Sequence, residues 1–260
     1  MIQVIYKGRL GNRLFQYCFG RILAEEFGWQ LAATPIEGFP GTAETVSGQV
    51  LPDEFPLIFS GVDRPDLEEL LRNPPRRRII ANAYFQQYAY YVRYLERIRL
   101  WFRLAEYDRS EFQSEAEALV VHIRLGDYLT GKWTITPESY VRCIESIPHS
   151  SLVIVTDSPR SNFLEHFLPF RPRIVHCDTM DAFKWMLNAS KLMISQSTFS
   201  WWAAILSNAE VWMPETPDSI WSRRSGINLR VYDNPRWTIF PADVLPVGHG
   251  YVEDTAVTSL

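Results

Sequence analysis

Downstream of residue 117, short apolar runs alternate with longer stretches that carry apolar residues at helical spacing. The apolar runs are "ALVVHIRLG", "SLVIVT", "RIVHC", "LMISQS" and "EVWMPE". Between them stand stretches such as "TPESYVRCIESI", "RSNFLEHFL", "DAFKWMLNASK" and "TFSWWAAILSNA". Short continuous apolar runs are typical of strands covered on both faces. Their alternation with helices predicts an α/β fold with a doubly wound parallel sheet.

The first part of the chain opens with a similar unit. The strand "MIQVIY" is followed by the glycine loop "KGRLGNR" and by the helix "LFQYCFGRILAEEF", which Gly28 ends. We predict further strands at "WQLAATP" and "RRRIIANAYFQQ", and helices at "PDLEELLR" and "YYVRYLERIRLWFRL". The rest of residues 35–75 is rich in Pro and Gly, and no other element is predicted there.

A polar run, "RSEFQSEAE", separates the two patterns and predicts a domain boundary. We therefore expect an N-terminal α/β domain over residues 1–115 and a C-terminal domain over residues 116–245. The polar end of the chain, residues 246–260, is expected to be a loose tail.

Composition narrows the class of protein. The formal charge of −4 argues against a nucleic-acid partner, which would call for a basic surface. The chain shows neither a signal-peptide pattern nor an apolar run of about 20 residues that could span a bilayer. Its three cysteines are widely spaced and form neither a disulfide nor a zinc pattern, so we expect a cytoplasmic protein.

Polar residues follow three of the predicted strands. His122 and Arg124 end the first of these strands, Asp157 follows "SLVIVT", and Ser197 and Thr198 follow "LMIS". Because the carboxyl ends of parallel strands meet at one edge of the sheet, we expect these groups to face a shared ligand.

Each of these residues also has a purely structural interpretation. Arg124 can donate two hydrogen bonds to a phosphate, or it can form an ion pair with Asp127 that closes the turn. His122 shares a strand face with Arg124, but a histidine among apolar neighbours is often a satisfied core residue. Ser197 can begin an anion-binding helix or merely cap it.

Three motifs in order give the chain a family resemblance. "GRLGNRLFQY", "HIRLGDY" and "ISQSTFSWWAAIL" resemble motifs of the α-1,2-fucosyltransferases, glycosyltransferase family 11, whose patterns are close to GxLGNQxFQYA, HxRRGDY and SFSWWxAxL. The resemblance covers residues 8 to about 214. It implies a glycosyltransferase B fold, in which two Rossmann-like domains face a cleft and the C-terminal one holds GDP-fucose.

The resemblance also implies roles for individual residues. Arg124 matches an arginine that binds the β-phosphate of the donor, and Asp127 is the nearest candidate for a general base by motif. Asp181 matches an aspartate that reads guanine, although it is equally suited to be a helix N-terminal charge. The other donor-site residues implied are Gly11, His122, Ser197, Thr198 and Phe199. Asp157 is added to the donor site because it follows the strand "SLVIVT".

In the N-terminal loop, Asn12 and the Gly8–Gly11 segment match residues that approach the diphosphate or the acceptor. From the residues alone, Asn12 could also cap the first helix. Two positions depart from the family pattern. Leu125 replaces an arginine, which changes the packing behind Arg124, and Arg13 replaces a glutamine, which adds a positive charge.

The implied activity is an inverting transfer of fucose from GDP-fucose to a glycan hydroxyl, with terminal galactose O2 as the expected acceptor. No DxD motif is present, so we expect Arg124 and the helix start at Ser197 to stabilise the leaving diphosphate without a metal or other cofactor. Two alternatives stay open: a related transferase with another nucleotide sugar, and a nucleotide-sugar-binding module without catalysis.

Overall fold

The computed structural model describes residues 1–51, 55–131, 133–216 and 227–252. The chain forms two compact units. One comprises Met1–Tyr107 with Asn228–Arg230, and the other comprises Asp108–Ile227 with Val231–Leu260. Within the described ranges, no helix combines the length and apolar character needed to cross a membrane.

The first unit is built on a parallel four-stranded sheet in the order β2-β1-β4-β3. The strands are β1 (Ile2–Val4), β2 (Leu31–Ala32), β3 (Leu57–Gly61) and β4 (Ile79–Ala83). The α-helices are α1 (Leu10–Phe27), α2 (Leu67–Arg72) and α3 (Leu95–Trp101). Short 3-10 helices lie at Pro40–Ala43, Tyr88–Tyr90 and Val92–Tyr94.

Helix α1 confirms the predicted strand–loop–helix opening. Its apolar residues Leu14, Phe15, Cys18 and Ile22 are all fully buried. The helix ends at Gly28, whose φ of 65° is left-handed and lets its N–H reach the carbonyls of the last turn. Strand β3 was not predicted, because its short apolar run at residues 57–59 stands within the Pro- and Gly-rich stretch of residues 35–75. It forms one edge of the sheet.

The second unit is built on a parallel six-stranded sheet in the order β10-β9-β8-β5-β6-β7. The strands are β5 (Leu119–Ile123), β6 (Leu152–Thr156), β7 (Arg173–Val175), β8 (Lys191–Met193), β9 (Glu210–Glu215) and β10 (Trp237–Pro241). The α-helices are α4 (Gly126–Gly131), α5 (Pro137–Ser146), α6 (Thr179–Leu187) and α7 (Thr198–Leu206). Short 3-10 helices lie at Arg109–Phe112 and Asn162–Phe170.

This is the Rossmann strand order, and it locates a binding edge. Counted from β5, the strands run 3-2-1-4-5-6 across the sheet, so the order reverses between β5 and β8. Ligands of such sheets bind outside the carboxyl ends of the strands at that reversal. The residues that follow β5 and β8 are therefore the ones placed to meet a ligand.

Two local predictions for this unit are wrong, and one strand was not predicted. "RSNFLEHFL" folds as a 3-10 helix that contains Pro169, rather than as an α-helix. The residues after Arg124, expected to be a turn, form the short helix α4. Strand β10 was not predicted, and it extends the sheet by pairing in parallel with β9.

The ends of the predicted C-terminal domain also differ in the structure. The units part between Tyr107 and Asp108, because Phe112 packs edge-on against Trp185 of the second unit. Residues 246–252, expected to belong to a loose tail, are instead held by contacts with the rest of the second unit. His249 Nε2 donates to the carbonyl of Leu129 at 3.0 Å, and the Tyr251 ring packs on Phe163. Residues 253–260 lie outside the described part of the chain.

Leu125 gives a first testable prediction. The Leu125 side chain is fully buried in the core of the second unit, with Ile123 and Leu129. We expect Leu125→Ala to lower the free energy of unfolding by about 2–5 kcal/mol, because it removes buried methyl groups and leaves a cavity. The measurement is denaturant unfolding. Leu168→Ala, at a leucine that is 64% exposed in the same unit, should change the value by no more than about 0.5 kcal/mol. Equal effects of the two substitutions would contradict the buried position.

Candidate functional site

The candidate site lies in the second unit, at the carboxyl ends of β5, β6 and β8. Arg124 follows β5, Asp157 follows β6, and Ser197 follows β8 after a three-residue link. β5 pairs with both β6 and β8, so the three strand ends are neighbours. The structure thus brings together the polar groups that the sequence placed on one edge.

Arg124 is the centre of this cluster. Its Nη2 group donates to Asp127 Oδ1 at 2.5 Å, and its Nη1 group pairs with Asp157 Oδ2 at 2.5 Å. The guanidinium also lies 5.5 Å from the centre of the Tyr128 ring. The structural interpretation of Arg124, an ion pair with Asp127, is therefore present, and a second carboxylate adds to it.

The two ion pairs of Arg124 differ in their surroundings. Asp127 is 48% exposed, and Asp157 is 27% exposed. Pairs with an exposed partner contribute only about 0–1 kcal/mol, because water screens the charges. The pair with Asp127 is therefore the more exposed to water and the weaker of the two.

Asp157 is also engaged with the backbone of the loop after β5. Its Oδ1 atom accepts a hydrogen bond from the Leu125 N–H at 2.9 Å. The neighbouring Ser158 Oγ accepts from the Gly126 N–H at 3.3 Å. Asp157 thus binds both the guanidinium of Arg124 and the backbone of the loop after β5. Its position after β6 in the sequence did not predict the contact with the backbone.

His122 lies beneath the cluster, within β5. It is buried, its Nδ1 atom is hydrogen-bonded to Ser195 Oγ at 2.8 Å, and its ring lies 5.8 Å from that of Phe199. Burial lowers the pKa of His122 to about 4, although the charge of Asp157 acts in the opposite direction. The imidazole is therefore neutral near pH 7 and forms a polar contact between β5 and the segment after β8.

Ser197 begins helix α7. Its side chain caps the helix by accepting from the Phe199 N–H at 3.3 Å. Thr198 is the first residue of the helix, and Phe199 packs between the rings of His122 and Phe183. A helix N-terminus carries partial positive charge, so this end of α7 favours an anion near Arg124.

Asp181 has a local structural role in α6. Asp178 caps the helix and accepts from the Asp181 N–H, and Asp181 Oδ1 accepts from Lys184 Nζ at 2.7 Å. The negative charge near the helix start and this ion pair match the structural interpretation of Asp181. Its contact with guanine stays a prediction.

Gly11 and Asn12 belong to the first unit. Both lie in the first turn of α1, and the capping interpretation of Asn12 is wrong, because the N-cap residue is Arg9. Asn12 Oδ1 instead accepts from Gln86 Nε2 at 2.8 Å. Gly8 has a φ of 74°, and a β-carbon there would come within 2.4 Å of the Asn12 amide. The loop therefore requires glycine where it passes Asn12.

Sequence reasoning missed two members of the site. Ser195 is hydrogen-bonded to His122. Its position two residues before Ser197 in "SQS" was the sequence feature that could have indicated it. Tyr128 lies beside Arg124 and closes the motif "HIRLGDY". In the described residues, no three His, Cys, Asp or Glu side chains group closely enough to hold a metal ion.

The buried His122 gives a prediction for the pH dependence of stability. Its folded-state pKa lies below the unfolded value of about 6.5, so between pH 6.5 and about 4 the unfolded chain binds a proton that the folded chain does not. Stability should therefore fall as the pH is lowered through this window, by up to about 1.4 kcal/mol per pH unit from this group. His122→Asn should flatten the slope in denaturant unfolding at a series of pH values. Parallel slopes for the two proteins would show that His122 is not held neutral by burial.

Comparison with known proteins supplies the fold class. No protein-family model matches the sequence, and no curated protein is significantly similar to it. Among solved structures, the α-1,6-fucosyltransferase NodZ, from a crystal soaked with GDP-fucose, matches with 14% identity and a TM-score of 0.51. The match covers 79% of this chain and 92% of that one.

Two further solved structures have TM-scores below 0.5. The E. coli ADP-heptose LPS heptosyltransferase II matches at 12% identity and a TM-score of 0.48, over 92% of this chain and 90% of that one. A mutant of Arabidopsis thaliana FUT1 in complex with GDP matches at 11% identity and a TM-score of 0.47, over 82% and 69% of the two chains. The predicted fold class is confirmed by the two parallel-sheet units and the likeness to NodZ: the chain is an α/β protein of the glycosyltransferase B type with Rossmann-like domains.

Proposed function

We propose that this chain is a glycosyltransferase that uses GDP-fucose as its donor. The observation that carries the proposal is the position of Arg124 and the α7 N-terminus at the strand-order reversal between β5 and β8. A nucleoside diphosphate needs positive charge and N–H donors at this edge, and these two elements supply them.

The diphosphate takes the place of Asp127 on Arg124. Asp157 keeps its ion pair, because it also holds the Leu125 N–H and is less exposed. The guanidinium therefore stays oriented, and the Nη2 group released from Asp127 donates to a phosphate oxygen. As the bond between fucose and phosphate breaks, the charge that develops on the leaving GDP is stabilised by Arg124 and the start of α7, without a metal ion.

The same exchange frees the carboxylate that is proposed as general base. A glycan hydroxyl attacks the anomeric carbon of fucose from the face opposite GDP, and its proton passes to Asp127. The new glycosidic bond forms while the bond to the β-phosphate oxygen breaks, which inverts the anomeric configuration. Asn12 is proposed as a further catalytic residue on the resemblance of "GRLGNRLFQY" to the family motif.

The identity of donor and acceptor rests on two further lines of support. The three motifs "GRLGNRLFQY", "HIRLGDY" and "ISQSTFSWWAAIL" support an α-1,2 linkage to galactose O2. The structure with the same fold, NodZ, was solved from a crystal soaked with GDP-fucose, which supports a guanine nucleotide. The pairing of Asp181 with Lys184 favours testing other nucleotides as well, because the proposed guanine contact must compete with it.

Nucleotide binding tests the donor site. In calorimetric titrations with EDTA present, GDP and GDP-fucose should bind the wild type, and UDP-sugars and ADP should not. Arg124→Ala should weaken GDP binding about tenfold to hundredfold, since a charge-assisted hydrogen bond contributes about 1.5–3 kcal/mol. Arg142→Ala, at a 61% exposed arginine of the same unit, is the matched control and should bind as wild type does.

Other binding patterns would change the conclusion. Equal binding of all nucleotides, or tight binding of another one, would overturn the GDP-fucose donor in favour of a related transferase. GDP-fucose binding without transfer to any glycan would favour the binding module without catalysis.

Asp127→Asn tests the proposed base. Asparagine keeps the size of the side chain but cannot take the acceptor proton, so the turnover number for fucose transfer to a galactose-terminated oligosaccharide should fall by about 10²–10⁴. GDP affinity should not decrease, because Asp127 occupies the phosphate's place on Arg124. Asp243→Asn, at a 76% exposed aspartate, is the control for charge removal. Unchanged turnover in Asp127→Asn would assign the base to another residue.

A further inference from the structure

Tyr128 lies between the two groups that the proposed donor site relies on. Its ring centre is 5.5 Å from the Arg124 guanidinium carbon, and its hydroxyl interacts with the side chain of Ser197. Arg124 follows β5 and Ser197 begins α7, so one side chain contacts both halves of the strand-order reversal. None of the roles assigned above uses this residue.

Tyr128 is held both by its ring and by its backbone. It packs edge-on against Trp133, with ring centres 5.4 Å apart, and its backbone N–H donates to the Leu125 carbonyl at 2.7 Å. A phenylalanine could make the same ring contacts. The hydroxyl is therefore the part of Tyr128 that packing does not explain.

The hydroxyl is a proton donor under ordinary conditions. Burial raises the pKa of Tyr128, while the charge of Arg124 and the hydrogen bond to Ser197 only partly oppose that rise. At neutral pH the phenol thus keeps its proton. A phenol O–H can give that proton to only one acceptor at a time, and a phosphate oxygen is a stronger acceptor than a serine hydroxyl.

We propose that the Tyr128 hydroxyl donates a hydrogen bond to the phosphate group that Arg124 and the start of α7 bind. When the anion arrives, the hydroxyl donates to a phosphate oxygen while the ring stays against Trp133 and the guanidinium. Tyr128 is then a third, uncharged donor in the phosphate site. This inference rests on the anion site of the proposed function, but it does not depend on which nucleotide or sugar is bound.

The test compares Tyr128→Phe with wild type for three probes: GDP, inorganic pyrophosphate and guanosine. Loss of a donor to a charged oxygen should weaken GDP and pyrophosphate binding by about tenfold to hundredfold. Guanosine lacks the phosphates, so its affinity should not change. Tyr251→Phe removes a hydroxyl that is hydrogen-bonded to His166 in the same unit, and it should bind all three probes as wild type does.

Several outcomes would overturn the inference. Wild-type affinity of Tyr128→Phe for both GDP and pyrophosphate would show that the hydroxyl makes no phosphate contact. An equal loss for guanosine would assign Tyr128 a general structural role. Denaturant unfolding of Tyr128→Phe checks this second outcome, because the proposal expects a midpoint close to that of wild type.

The pyrophosphate probe separates this inference from the proposed function. If wild type binds pyrophosphate but prefers a nucleotide other than GDP, the GDP-fucose proposal fails. The pyrophosphate affinities of wild type and Tyr128→Phe still test the Tyr128 inference. If Arg124→Ala loses pyrophosphate binding and Tyr128→Phe does not, the Tyr128 inference fails alone. If wild type binds none of the phosphate probes, both proposals fail.

Discussion

The pairing of Arg124 with two carboxylates is the interaction on which the candidate site depends. A guanidinium at the end of a buried strand cannot be left without partners, because its desolvation would cost several kcal/mol. Asp127 and Asp157 both meet this requirement. Because Asp157 also holds the backbone of that loop, the orientation of the cation is set before any ligand arrives.

The layer below Arg124 explains why this arrangement is rigid. His122 joins β5 to the segment after β8 through Ser195, and Leu125 turns into the core on the other side of the loop. A charged histidine or a charged residue at position 125 would bring an unpaired charge into this layer. The neutral imidazole and the leucine instead leave Arg124 as the cation that the edge presents beside the start of α7.

Sequence reasoning could locate the site because its signals are local. Apolar runs define β5, β6 and β8, and the polar residues that end them must lie at one edge of a parallel sheet. The same reasoning could not find β3, whose short apolar run stands in the Pro- and Gly-rich stretch, or the hydrogen bond between His249 and Leu129, which joins residues far apart in the chain. It also left open whether Asp127 or a ligand pairs with Arg124, since both are anions that accept from the same guanidinium group.

The competition between Asp127 and a ligand for Arg124 bears on which anions the site favours. Without a ligand, one arginine and two aspartates leave the cluster with a net charge of −1, which repels small anions. A diphosphate that displaces Asp127 gains the guanidinium, the start of α7 and, in our inference, the Tyr128 hydroxyl together. An anion with a single oxygen to offer gains only one of these and must still displace the carboxylate. The carboxylate that makes Arg124 look structural is thus the element that would make the site selective for an extended polyanion.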